Sequence, residues 1–212
     1  LPRGDRIVAT IESADDATLK ARSYVLGDLE IPLALPRALI LKPPSEPAAV
    51  DDLIEQVLQE KGGSERLWLA NGDRQKGTFL GIDGKSQKLR FQQENAKLEL
   101  DRAGIVALIF DRDLVDAAPP AEPWLEVSLV DGSRISLEKP RYDSEQFLGQ
   151  TRFAKELRIP VSEIARIHAR HDKVRYLADD DHAAVRYTPY IGPPRPYARN
   201  TSVDRSPLRL AD

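Results

Sequence analysis

A short pattern returns three times along this chain, and that recurrence constrains the fold more than any other feature. Its clearest copy runs Leu67-Trp68-Leu69-Ala70-Asn71-Gly72-Asp73-Arg74, then Gly77-Thr78-Phe79-Leu80-Gly81-Ile82-Asp83-Gly84, Lys88-Leu89-Arg90-Phe91, and Ile105-Val106-Ala107-Leu108-Ile109-Phe110. Asn71-Gly72 stands between runs of alternating apolar residues, a strong hairpin signal, and predicts a type I′ turn with both central residues at positive φ. Asp83-Gly84 marks a second turn, Leu98 and Leu100 a short strand, Asp101 to Gly104 a tight corner, and 105–110 a closing strand rich in β-branched residues. The same order stands upstream in Gly4-Asp5-Arg6, Leu19, Gly27-Asp28, Ile31-Pro32-Leu33 and Ala38-Leu39-Ile40-Leu41. Downstream it stands in Asp131-Gly132-Ser133-Arg134, Leu148-Gly149, Ile159-Pro160-Val161 and Ile164-Ala165-Arg166-Ile167. Gly4, Gly72 and Gly132 correspond, as do Arg6, Arg74 and Arg134.

Each copy amounts to five short strands in about 45 residues, the size of an SH3-like or Sm-like barrel. A unit that small buries about 60% of its unfolded surface or less, so each copy is expected to lean on neighbours, helices or partner chains. The expected organisation is mainly β. Barrel repeats occupy 1–42, 66–113 and 124–172; 43–65 is a linker with one short helix, 114–123 a Pro-rich linker, and 173–212 opens a fourth domain. Leu1 corresponds to Leu69, so the first copy is expected to lack its opening strand, with the chain starting inside a domain.

Between the first two copies, Val50, Leu53, Ile54, Val57 and Leu58 fall at helical spacing. Ser45 or Glu46 precedes a first-turn Pro47, and Gly62-Gly63 provides a stop. This predicts a short amphipathic helix packed on the following copy. The run Asp116-Ala117-Ala118-Pro119-Pro120-Ala121-Glu122-Pro123 predicts an extended, semi-rigid connection.

Composition narrows function mainly by exclusion. Thirty-one Lys and Arg face 34 Asp and Glu, a net charge of -3 with the signs mixed, so no electrostatic attraction to a polyanion is expected. Gly77 to Asp83 looks like the first half of an Sm motif. Its second half, centred on Arg-Gly, is replaced by Arg102-Ala103-Gly104, so nucleic-acid binding ranks below protein–protein assembly among the alternatives. No apolar run approaches the roughly 20 residues that span a bilayer. The chain has no Cys, which excludes disulfides and thiolate metal sites.

The stretch from Val174 changes character. It reads Val174-Arg175-Tyr176-Leu177-Ala178-Asp179, then Val185-Arg186-Tyr187-Thr188-Pro189-Tyr190-Ile191-Gly192, Pro196-Tyr197-Ala198-Arg199-Asn200 and Pro207-Leu208-Arg209-Leu210. These motifs resemble the opening of the NPCBM family of carbohydrate-binding modules, found in large bacterial proteins of the planctomycete type. The likeness covers about 39 residues, with Ala178 where Ser is usual, Asn200 where Asp is usual, and Ser206 where Gly precedes the Pro-Leu pair. It implies the start of a galactose-binding-like β-sandwich, a carbohydrate ligand, and a secreted, periplasmic or cell-surface location. Most of such a module would follow Asp212, so a complete sugar site is expected only in a longer chain. Tyr187, Tyr190 and Tyr197 are the candidate sugar-stacking residues, with Tyr176 beside them.

Other constellations read as structural. His168 and His171 have the spacing of a helical metal pair, but His168 continues an alternating strand, where positions three apart face opposite sides. No metal site and no cofactor is expected. Nor is there a Ser-His-Asp arrangement, a phosphate loop or a paired-carboxylate motif, which points to a non-enzymatic protein. Arg6, Arg74 and Arg134 are expected to pair with acidic neighbours.

Overall fold

The Asn71-Gly72 hairpin sets the geometry of everything built on it. In the computed structural model, which describes residues 5–170 except 61, 95, 112, 114 and 116–122, Gly72 has φ +92° and its N–H donates to Leu69 O at 3.0 Å. Leu69 N–H donates to Asp73 O at 2.9 Å. Asn71 is not at positive φ, so the turn is not type I′. It is a type I turn closed by a left-handed glycine, a G1-bulge hairpin, in which only the glycine needs positive φ. Asn71 Oδ1 instead accepts the Asp73 N–H at 3.0 Å. The same device recurs at Gly132: φ +88°, its N–H on Leu129 O, the Leu129 N–H on Ser133 O, and Asp131 Oδ1 accepting the Ser133 N–H.

Among the described residues, fourteen strands and one α-helix follow the chain in order. β1 (Thr10–Ala14), β2 (Thr18–Ser23), β3 (Gly27–Pro32) and β4 (Ala38–Ile40) precede helix α1 (Pro47–Gln59). β5 (Glu65–Leu69), β6 (Arg74–Ile82), β7 (Lys88–Gln93), β8 (Ala96–Asp101) and β9 (Ile105–Ile109) come next. β10 (Trp124–Leu129), β11 (Arg134–Asp143), β12 (Gln146–Gln150), β13 (Leu157–Pro160) and β14 (Ile164–Arg170) complete the described chain. All pairings among the described residues are antiparallel, in one nine-stranded and one five-stranded curled sheet. The fold is thus mainly β. Helix α1 starts with Pro47 in its first turn, as expected, and ends before Gly62-Gly63; Val57 is its buried residue, whereas Leu58 of the same stripe is exposed.

The run β5–β9 and the run β10–β14 have one strand order, β9-β5-β6-β7-β8 and β14-β10-β11-β12-β13. Their irregularities match too. A register shift separates Trp68 from Leu69 opposite β9, and Ser128 from Leu129 opposite β14. A one-turn 3₁₀ helix precedes each last strand, at Arg102–Gly104 and Val161–Glu163, and its final carbonyl accepts from Ala70 and Val130 respectively. β1–β3 pair as β6–β8 do, with a register shift at Ile11/Ser13 against one at Phe79/Gly81. Pairing also links matching positions through the third run: Ala14↔Leu19↔Ile31, Ile82↔Leu89↔Leu100, and Tyr142↔Phe147↔Ile159.

The first two runs are joined, not merely adjacent. β4 pairs with β9 through Ala38↔Ile109, Leu39↔Leu108 and Ile40↔Ala107, and β1 meets β6 at Ala14↔Ile82. One apolar core therefore mixes Leu19, Leu29, Ile31 and Leu39 with Leu67, Phe79, Leu89, Phe91, Ile105 and Leu108. Helix α1 covers the other face of this seam, Val57 packing on Trp68, Ala107 and Ile109. The five-stranded sheet has its own core of Val127, Leu129, Ile135, Leu137, Leu157 and Ile159. Leu26 and Phe153 touch both cores. The chain divides after Arg170 into two units, the second beginning at His171. No helix among the described residues is long and apolar enough to cross a membrane.

Candidate functional site

The Gly72 hairpin places Trp68 directly opposite Arg74, and the Arg74 guanidinium lies 4.3 Å from the centre of the indole ring. Such a stack is an electrostatic attraction of cation to ring face, favoured over a lysine contact because guanidinium is planar. Arg74 also donates to Glu60 at 2.8 Å, and Arg66, from β5, donates to the other Glu60 oxygen. Glu60 is the residue at which α1 stops, its N–H on Val57 O. Its side chain is only 12% exposed and that of Arg66 only 18%, so this is a partly desolvated clamp between the helix end and the hairpin. With Gln56 and Gln59 these residues line an open cleft of about 400 Å³.

The cleft holds two guanidiniums against one carboxylate, and both converge on Glu60. Its exposed amides can engage hydroxyl or carbonyl groups, yet the indole face a sugar would stack on is already covered by Arg74. The Trp68 indole N–H and Arg66 Nε–H are buried without a hydrogen-bond partner. The clamp was legible in part: an apolar residue four before a turn glycine and an Arg two after it must face each other in a tight hairpin. Glu60, at the end of a helix, was not.

The three corresponding arginines serve different ends. Arg6 pairs with Asp51 at 3.1 Å while its Nε donates to Gly132 O at 2.9 Å; Arg74 joins the clamp. Arg134 enters through its backbone: its N–H donates to Arg6 O at 2.7 Å and its carbonyl accepts the Arg6 N–H at 2.8 Å. Around that bridge, Val8 N–H donates to Ser133 Oγ and Ser136 Oγ to Asp5 Oδ1, so both buried serines are satisfied.

Burial holds the Asp5 carboxyl above its ordinary value of 3.8, with Glu126 adding to the effect, against hydrogen bonds from Ser136 that pull it down. A carboxyl raised in the folded state contributes stability below its unfolded pKa and loses it as pH rises through the folded value. Asp5→Asn, which keeps an acceptor for Ser136, should therefore melt above the parent at pH 7. The two melting curves should converge as pH falls below 3.8. Thermal melts at a series of pH values check this, and a gap that widened on acidification would contradict it.

Tyr176, Tyr187, Tyr190, Tyr197 and His171 lie outside the described residues. His168 sits in β14 opposite Glu126, and no group of three or more His, Cys, Asp or Glu able to hold a metal occurs among the described residues. Comparison with family models, with curated proteins and with solved structures gives no match to this chain.

Proposed function

We propose that this chain is a non-catalytic binding and spacer region of a larger bacterial protein, acting outside the cytoplasm. Three small SH3/Sm-like barrel repeats, at 1–42, 66–113 and 124–172, present a carbohydrate-binding module that opens at 173. The observation that carries the repeat half of this reading is the common strand order of β5–β9 and β10–β14, with matching G1 hairpins, register shifts and 3₁₀ corners. The carbohydrate half rests on the NPCBM-like motifs from Val174 to Leu210, with Tyr187, Tyr190 and Tyr197 as stacking residues. Protein–protein assembly is the second reading, favoured by the β4–β9 pairing, in which one proposed repeat binds another edge to edge.

Glycan-array screening followed by calorimetric titration tests the first reading. The 212-residue chain should bind no glycan specifically, whereas a longer chain carrying a complete module after Asp212 should bind one. Alanine at Tyr187, Tyr190 and Tyr197 together should abolish that binding. Equal, specific binding by the 212-residue chain would place the site in the barrels and remove the module reading.

A further inference from the structure

β4 has β9 along one edge and, among the described residues, no strand along the other. The segment just ahead of β1 is equally bare: residues 7–9 belong to no strand. In both complete runs one strand stands at this place. β5 lies between β6 and β9, with Leu67 paired to Gln75 and Leu108, and Arg66 to Lys76 and Ile109. β10 lies in the same way between β11 and β14. The matching positions in the first run are Ile7 and Val8 for Gln75 and Lys76, and Ala38, Leu39 and Ile40 for Ala107, Leu108 and Ile109.

Burial records the difference. Ala107 and Ile109 are 0% and 4% exposed, whereas Ala38 and Ile40 are half-buried. The backbone also points the right way. Phe110 N–H donates to Arg37 O and Leu41 N–H to Val106 O, so the odd-numbered residues of this segment turn toward β9. Ala38 and Ile40 therefore turn toward the opposite edge. On the facing rim, Arg6 is bonded to Arg134 and the Val8 N–H to Ser133 Oγ, which leaves Ile7 and Ala9 turned toward β4. Each rim thus presents two residues in the spacing of an antiparallel ladder.

We propose that the gap between residues 7–9 and β4 is a strand-acceptor site, and that its occupant is an extended peptide of the β5 pattern joined to Leu1. The inference rests on the repeat reading above. The occupant runs antiparallel to both rims and seats an apolar side chain two positions before Leu1, where Leu67 and Val127 are both 0% exposed. Main-chain bonds supply the attraction and the inward side chain the selectivity, as in β-strand addition generally.

The test appends Ser-Glu-Arg-Leu-Trp, the sequence of residues 64–68, directly before Leu1 of the 212-residue chain. Amide exchange at Ile7, Ala9, Ala38 and Ile40 should slow by about 100-fold or more, and the urea midpoint should rise. The same extension with Asp in place of its Leu should do neither. Equal slowing with the Asp extension, or none with the Leu extension, overturns the site. In either case protected amides at Leu67 and Val127 leave the repeat reading standing, while unprotected ones sink that reading separately. A parent chain that sediments as a dimer with Ala38 and Ile40 already protected would assign the gap to a second copy and overturn the proposal.

Discussion

Replacing Gly77 by alanine should destabilise the protein by about 3 kcal/mol, near the top of the range for overpacking a filled core. Gly77 lies inside β6 opposite Glu65, with ordinary backbone, so the cost is not conformational. A Cβ there would collide with the Gln92 carbonyl oxygen and come within 2.5 Å of a Phe91 ring carbon. Gln92 O is backbone in β7, and Phe91 is wholly buried in the shared core, so neither can yield cheaply. Gly72→Ala is the control. Its Cβ meets nothing within 4 Å, and only the positive φ is penalised, at about 1–2 kcal/mol. Urea unfolding of both variants checks the argument: equal midpoints would mean that strand crowding at Gly77 is not what requires the glycine.

Leu108→Ala should cost about 3 kcal/mol, within the 2–5 kcal/mol span of buried leucine truncations. Leu108 is 0% exposed, with Leu67 beside it on β5 and Leu39 on β4. What distinguishes this site is where the loss should be felt. Because the core mixes side chains from β2–β4 with those from β5–β9, amide exchange should quicken around Leu19 to Ile31 as much as around Leu67 to Phe91. Ile135→Ala, in the core of the five-stranded sheet, should be felt within this segment only at Val25 and Leu26, which pack against that core, and should leave the Leu19 and Ile31 amides unchanged. If Leu108→Ala quickened exchange only beyond Glu65, the seam between the two runs would carry no cooperativity.

Local structure was legible in the sequence wherever one residue type decides it. Gly72 and Gly132 at positive φ, the helix opened by Pro47, and the corner at 101–104 all follow from the chemistry of single positions. The backbone of Asn71 does not follow in the same way, because Asn-Gly suits two hairpin types, and the loop length that chooses between them depends on how far the strands remain paired. The seam itself could not be read. The segments 38–41 and 105–110 both look like closing strands, and nothing in either states that they close against each other. Gly77 and Gly149 carried a hint, since a glycine within a strand often marks close approach of other backbone. The candidate sugar-stacking tyrosines rest on motif likeness alone.

Ala14 meets Ile82 and Leu39 meets Leu108, and in the repeat reading each of these is a residue meeting its own counterpart. That is the geometry of a two-fold, self-complementary contact, which is consumed in twos. The third set of counterparts is Tyr142 and Ile167, 63% and 36% exposed. Lengthening such an array is therefore not a matter of adding interchangeable beads. Parity counts: every second repeat closes an apolar face and every odd one opens it again. Variation in repeat number among chains of this design should thus run in steps of two, unless the odd repeat is re-surfaced with polar residues at those positions.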